Sequence, residues 1–186
     1  CGSEGTLGLV TELEIRTVEI PKHLSFARFS FTHLNDAINL LSEILESKAS
    51  AVELIDPQIL ETLAKHEGLA LGDMRGSETQ CELWCEWFDQ DLPKAFEKLC
   101  TFRSTDPEEI QAYWSRRSSA SSHLHQIAHQ QNRKPLRCIE DCAIPLPQLK
   151  NFVEELKEIL DRRDCRGPIF GHIGSGHLHV NPWISM

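Results

Sequence analysis

Residues 171–179, Gly171-His172-Ile173-Gly174-Ser175-Gly176-His177-Leu178-His179, hold three histidines and three glycines. Neutral imidazole is the commonest protein ligand for zinc-like metals. Glycine lets a backbone take positive φ and approach a ligand closely. Ile169-Phe170 precede this stretch and Val180 follows it, which predicts strand, glycine turn, strand. In the second strand His177 and His179 share one face, with Leu178 and Val180 on the other. The same residues also suit a glycine hairpin with solvent-facing histidines. Two other groups invite a chemical reading. His125 and His129 stand four apart on a predicted helix and share a face, but lack the acidic residue of an HExxH site. Glu140 and Asp141 look like an acid–base pair, yet strand alternation sends them to opposite faces.

Composition bounds what can surround these residues. The 186 residues are 40% hydrophobic and 25% charged, as in an ordinary soluble domain with its own core. A net charge of −9 argues against a nucleic-acid or anionic-membrane surface. No apolar run is long enough to cross a bilayer. The cysteine count, seven, is odd. Cys81/Cys85 and Cys138/Cys142 are CxxxC pairs on strand-like segments, where residues four apart lie about 13 Å apart. Buried, reduced thiols of a cytosolic protein are expected rather than a cysteine metal site.

The positioning elements follow from periodicity. Residues 9–20 alternate apolar and polar up to Pro21 and predict a strand, as do residues 24–31, 51–55, 80–88 and 137–144. Helices are predicted over 34–47, 57–64, 93–101, 106–130 and 149–163, with a glycine-containing loop over 66–79. The mixture of hairpins and helices predicts an α+β fold, an antiparallel sheet with helices packed on one face. A doubly wound fold fits poorly, because no GxGxxG follows a first strand. A start at Cys1, inside a glycine-rich turn, reads as a piece of a longer chain.

Gly2-Ser3-Glu4-Gly5-Thr6-Leu7-Gly8 ahead of a strand resembles the motif that closes the flavin domain of FAD-linked oxidases of the vanillyl-alcohol oxidase type. Residues 170–181 resemble that family's GHxGDGNLHxN signature. Ala51-Val52-Glu53-Leu54-Ile55-Asp56, Trp114-Ser115-Arg116-Arg117 and Glu140-Asp141-Cys142-Ala143-Ile144-Pro145 match weaker landmarks in the same order. Members include glycolate oxidase subunits, D-lactate dehydrogenases and D-2-hydroxyglutarate dehydrogenases. The likeness covers essentially the whole chain. It implies a ferredoxin-like C-terminal substrate domain over 21–186, truncated at its end, after a last segment of an FAD-binding domain over 1–20. Ser175 stands where the family has Asp, and His177 where it has Asn. The ending, residues 178–186, looks more like members with a downstream iron–sulfur domain.

The resemblance implies roles. FAD would accept a hydride from a small anionic 2-hydroxy acid, with Gly2, Ser3, Glu4, Gly5 and Thr6 at the flavin. His172 and His179 align with ligands of a Zn-like divalent metal, and His177 could add a third nitrogen. A carboxylate ligand would come from a Glu-His-Gly segment beyond Met186. Arg117 takes the place of the substrate-carboxylate arginine, with Arg116 as its rival and Ser121 as a hydroxyl one turn on. The implied setting is cytoplasmic, with membrane association through electron-acceptor partners as a variant. The 186-residue chain alone would then fold without dehydrogenase activity. The alternatives are a non-catalytic metal-binding or interaction module that kept the fold, and a metal hydrolase using His172, His177 and His179.

Overall fold

The computed structural model describes residues 5–61, 79, 81–136, 139–165 and 167–185, without the side chains of Ser121, Ser122, Glu140 and Asp141. The predicted loop at 66–79 falls almost wholly outside these residues, as does the end of the helix predicted at 57–64, helical from 57 to 61.

A four-stranded antiparallel sheet forms the centre, in the order β2-β3-β1-β4. Its strands are β1 (Leu24–Phe31), β2 (Ala51–Ile55), β3 (Cys81–Phe88) and β4 (Phe102–Ser104). Registers such as Arg28 opposite Trp84 and Glu53 opposite Trp84 fix which side chains share a face. Strand alternation puts Ala27, Phe29, Leu83, Cys85 and Trp87 on one face. That face packs on α1 (Leu34–Glu46) through Ala37, Leu41 and Ile44, and on α3 (Leu149–Arg162) through Val153, Leu156 and Leu160. The opposite face carries Phe26 and Trp84, covered by α2 (Pro107–Gln130). Tyr113 stacks on Phe26 at 5.0 Å between centroids and meets Trp84 edge-on at 5.2 Å. The α+β class with an antiparallel sheet is as expected; helices lie on both faces of that sheet, where one face was predicted.

Local signals account for the helices. Asp106 caps α2 by accepting from the Glu108 N–H at 2.9 Å, and Pro107 occupies the first turn, where its missing N–H costs nothing. The helix predicted over 93–101 reduces to a single tight turn, Lys94–Phe96. Only Phe96 buries itself there, and the Thr101 N–H donates to the Arg28 carbonyl at 2.8 Å, drawing the chain into β4.

The strand predicted over residues 9–20 does not form. Residues 8–21 join no ladder among the described residues, and Leu9 and Ile20 are 89% and 91% exposed. Alternation supplies two faces, but a strand also needs a neighbour to hydrogen-bond with, and the described residues offer this segment none.

Two smaller sheets complete the chain: β5 (Arg133–Pro135) with β9 (Trp183–Ser185), and the order β6-β8-β7 from Ile139–Ala143, His177–Val180 and Ile169–Phe170. The Leu54 N–H donates to the Gly171 carbonyl at 2.9 Å, and the Gly171 N–H returns to Leu54 at 3.2 Å. This bridge fastens the histidine-bearing sheet to the free edge of β2. Cys81 and Cys85 are buried free thiols on β3; burial pushes the Cys81 thiol up to about 12 and that of Cys85 up as well. Among the described residues, no helix is long and apolar enough to cross a membrane.

Candidate active site

Gly171 and Gly176 bracket the turn that carries His172. Gly176 sits at φ 71°, and a Cβ there would lie 2.0 Å from the Ile144 carbonyl oxygen. Only glycine fits that left-handed position against the neighbouring backbone. The chain between makes one tight turn, Ile173–Ser175, closed by the His177 N–H donating to the His172 carbonyl at 3.2 Å. His172 and His177 are therefore tied backbone to backbone. In β8, Leu178 and Val180 are buried while His177 and His179 are half-buried on the other side, the predicted alternation.

The three imidazoles converge. Ring centroids of His177 and His179 lie 5.0 Å apart, those of His172 and His177 5.8 Å, and those of His172 and His179 6.3 Å. One nitrogen from each ring lies within 4.8 Å of the others. The donor set suits a zinc-like ion. The helix histidines His123, His125 and His129 join no such group among the described residues.

Glu53 organises the site, and no role was read for it from sequence. Its side chain is 3% exposed and its two oxygens are divided between two partners. Oε1 accepts from Arg117 Nε at 2.5 Å and is also reached by Arg117 Nη2. Oε2 pairs with His172 Nδ1 at 2.7 Å. The Arg117 guanidinium also sits 4.9 Å from the centre of the Phe170 ring. Packing and pairing thus hold it in one orientation. Its Nε–Nη2 edge faces Glu53, which leaves the Nη1–Nη2 end as the donor edge for another carboxylate. Arg116, the rival, instead lies 5.9 Å over the Tyr113 ring. The available signal was a glutamate at the middle of the apolar strand Ala51–Ile55, a position where an ionisable group needs a partner.

A cavity of about 680 Å³ opens here, lined among others by Val52, Glu53, Trp114, Arg117, His172 and His179. Trp114 on its wall donates through Nε1 to Glu86, whose carboxyl is pushed up by burial and drawn partly back by this bond. Of the predicted flavin positions, Gly2, Ser3 and Glu4 lie outside the described residues. Gly5 and Thr6 are exposed, and Gly5 has open space where a Cβ would stand. Ser121, Glu140 and Asp141 have no described side chain; β6 carries a register shift between Ile139 and Cys142.

The model of the family described as FAD linked oxidases, C-terminal domain, matches residues 20–186. The chain belongs to this family. It is similar to the D-2-hydroxyglutarate dehydrogenase of Pseudomonas putida, 24% identical over all of this chain and 20% of that protein. Glycolate oxidase subunit GlcD of Bacillus subtilis is 26% identical, over 96% of this chain and 39% of the relative. The mitochondrial D-lactate dehydrogenase [cytochrome] of Arabidopsis thaliana is also 26% identical, over 96% and 32%. The chain thus spans a fifth to two fifths of the lengths of these relatives. A solved alkyldihydroxyacetonephosphate synthase shares the fold at TM-score 0.54 and 10% identity, over 89% of this chain and 37% of that one.

Proposed function

We propose that this chain is the substrate domain of an FAD-dependent oxidoreductase that oxidises a small 2-hydroxy acid of the D-lactate, glycolate or 2-hydroxyglutarate type. The observation that carries the reading is one cavity wall presenting a pre-oriented arginine beside converging histidines. Arg117 binds the substrate carboxylate through the guanidinium edge that Glu53 does not occupy. His172 and His179 hold a divalent metal near the adjacent 2-hydroxyl. When bound, the metal supplies Lewis-acid polarisation and the flavin supplies a hydride acceptor. Glu53 keeps both Arg117 and His172 in place, so the two recognition groups share one anchor. Residues 1–20 belong to the last segment of an FAD-binding domain, with Gly2, Ser3, Glu4, Gly5 and Thr6 at the cofactor. The apolar side chains of residues 7–20, which stand in solvent, support that assignment, because they suit a strand completing a sheet elsewhere.

The test is anaerobic addition of D-lactate, glycolate and D-2-hydroxyglutarate to the flavin-loaded protein that contains this chain. One of them should bleach the flavin absorption. Arg117→Ala should lower kcat/KM by about 2–4 kcal/mol in transition-state terms, as for a lost charge-assisted pair, and Arg116→Ala much less. If no 2-hydroxy acid bleaches the flavin, the reading fails; equal kinetics for the two variants would remove Arg117 from its role.

A further inference from the structure

We infer that the chain builds a metal site from three of its own side chains, with His177 as the third nitrogen ligand and Glu53 orienting His172. The inference rests on the metal reading above and goes beyond it, since that reading needs only His172 and His179.

Three observations carry it. The β8 alternation places His177 and His179 on one side of the strand, and the backbone bond from His177 to His172 holds the third ring against them. A flexible loop could separate such rings; a turn closed by Gly176 at φ 71° cannot do so without breaking its contact with Ile144. Next, the nitrogen atoms lie within 4.8 Å of each other. Zinc–nitrogen bonds of about 2.0–2.1 Å in a tetrahedron put nitrogens about 3.3 Å apart. Rotation of the rings about their side-chain bonds closes that difference. Finally, Glu53 pairs with Nδ1 of His172 at 2.7 Å, which leaves Nε2 as the nitrogen turned toward an ion. A carboxylate on the far nitrogen of a ligating histidine fixes its tautomer and raises its basicity.

Three protein nitrogens leave the fourth tetrahedral position open. His172 and His179 line the cavity that also holds Arg117. A ligand that fits both has a carboxylate for Arg117 and a neighbouring oxygen for the ion, the chemistry of a 2-oxygenated acid. No ligand from outside residues 172–179 is needed to hold the metal.

The experiment is titration of the chain with Co(II), read by its visible d–d absorption, and with Zn(II), read by calorimetry. The expected result is one equivalent bound with a tetrahedral or five-coordinate spectrum lacking strong sulfur charge-transfer bands. His172→Asn, His177→Asn and His179→Asn should each weaken binding more than about 100-fold, and Glu53→Gln by about 10–100-fold. Unchanged affinity in His177→Asn, with loss in the other two histidine variants, overturns the third ligand and leaves the two-histidine reading standing. Unchanged affinity in all three, or no binding by the unaltered chain, overturns the inference; the first outcome also removes the metal from the proposed function. A readout on unmutated protein covers variants that do not fold. Zn(II) should protect His172, His177 and His179 together from diethylpyrocarbonate, mapped by mass spectrometry. Protection that omits His177 overturns the proposal.

Discussion

Two arginine–glutamate pairs lie on the same face of the central sheet, either side of Trp84, and they do different work. Arg28 and Glu82 are sealed, with side chains 5% and 0% exposed. Glu82 also accepts from Ser30 Oγ at 2.9 Å and Trp84 Nε1 at 2.7 Å, while Arg28 lies over the Phe102 and Tyr113 rings at 5.7 and 5.6 Å. Arg28 Nη2 stands 3.5 Å from Glu82 Oε1, whereas Arg117 grips Glu53 Oε1 through both Nε and Nη2, lines a cavity, and leaves the second glutamate oxygen to the exposed His172. The same two residue types thus form a structural pair where the guanidinium is covered by protein and a chemical one where an edge faces open space.

The largest expected effect tests the sealed pair. Arg28→Met should destabilise the fold by about 3–5 kcal/mol in urea unfolding, because it strands Glu82 in a dry interior. Arg28→Met combined with Glu82→Leu should recover much of that loss. A cost near zero for the single variant would show the pair is not sealed.

A third buried carboxylate sharpens the contrast. Asp56 follows directly after β2 and takes no guanidinium among the described residues; its oxygens accept the Gln58 and Ile169 N–H groups at 2.8 and 3.2 Å. Although the residue as a whole is only partly covered, its carboxyl is enclosed, and burial pushes it from 3.8 up to about 6, against the opposing pull of those two N–H groups. The native state therefore favours the protonated acid. Its stabilisation is complete below about pH 4 and is lost as pH rises through about 6, a change of about 3 kcal/mol. Asp56→Asn should flatten the stability profile between pH 4 and 6. An unaltered slope in that variant would assign the titration to another group.

The smallest effect tests the open pair. Arg117→Met should cost about 1–2 kcal/mol in stability, less than Arg28→Met, since water entering the cavity and His172 both remain to satisfy Glu53. A cost equal to that of Arg28→Met would erase the distinction between the pairs.

Much of the scaffold could be read locally. The β1, β2 and β3 alternations, the α1 and α3 apolar stripes and the Asp106-Pro107 cap are short-range patterns with short-range causes, and each appears where expected. The alternation of residues 9–20 has the same local quality, yet makes no strand, because pairing depends on a partner that alternation does not encode. The three-residue strands β4, β5 and β9 went unread for the same reason: partners elsewhere in the chain define them. Glu53 shows the limit most clearly. In β3, Glu82 and Glu86 flank Trp84 on one face, and Glu53 stands opposite Trp84 on β2. The structure lays α2 over that face: Trp114 and Arg117 of this helix meet Glu86 and Glu53, while Glu82 is met by Arg28, Ser30 and Trp84 of the sheet itself.

Sequence by itself determined the glycine–histidine turn and the shared face of His177 and His179, because positive φ and strand alternation act within a few residues. Only tertiary structure decided that Glu53 joins Arg117, 64 residues away, to His172, 119 residues away. The pairing of a buried charge is set by which elements pack together, and the Leu54–Gly171 bridge and the cover of α2 make that choice.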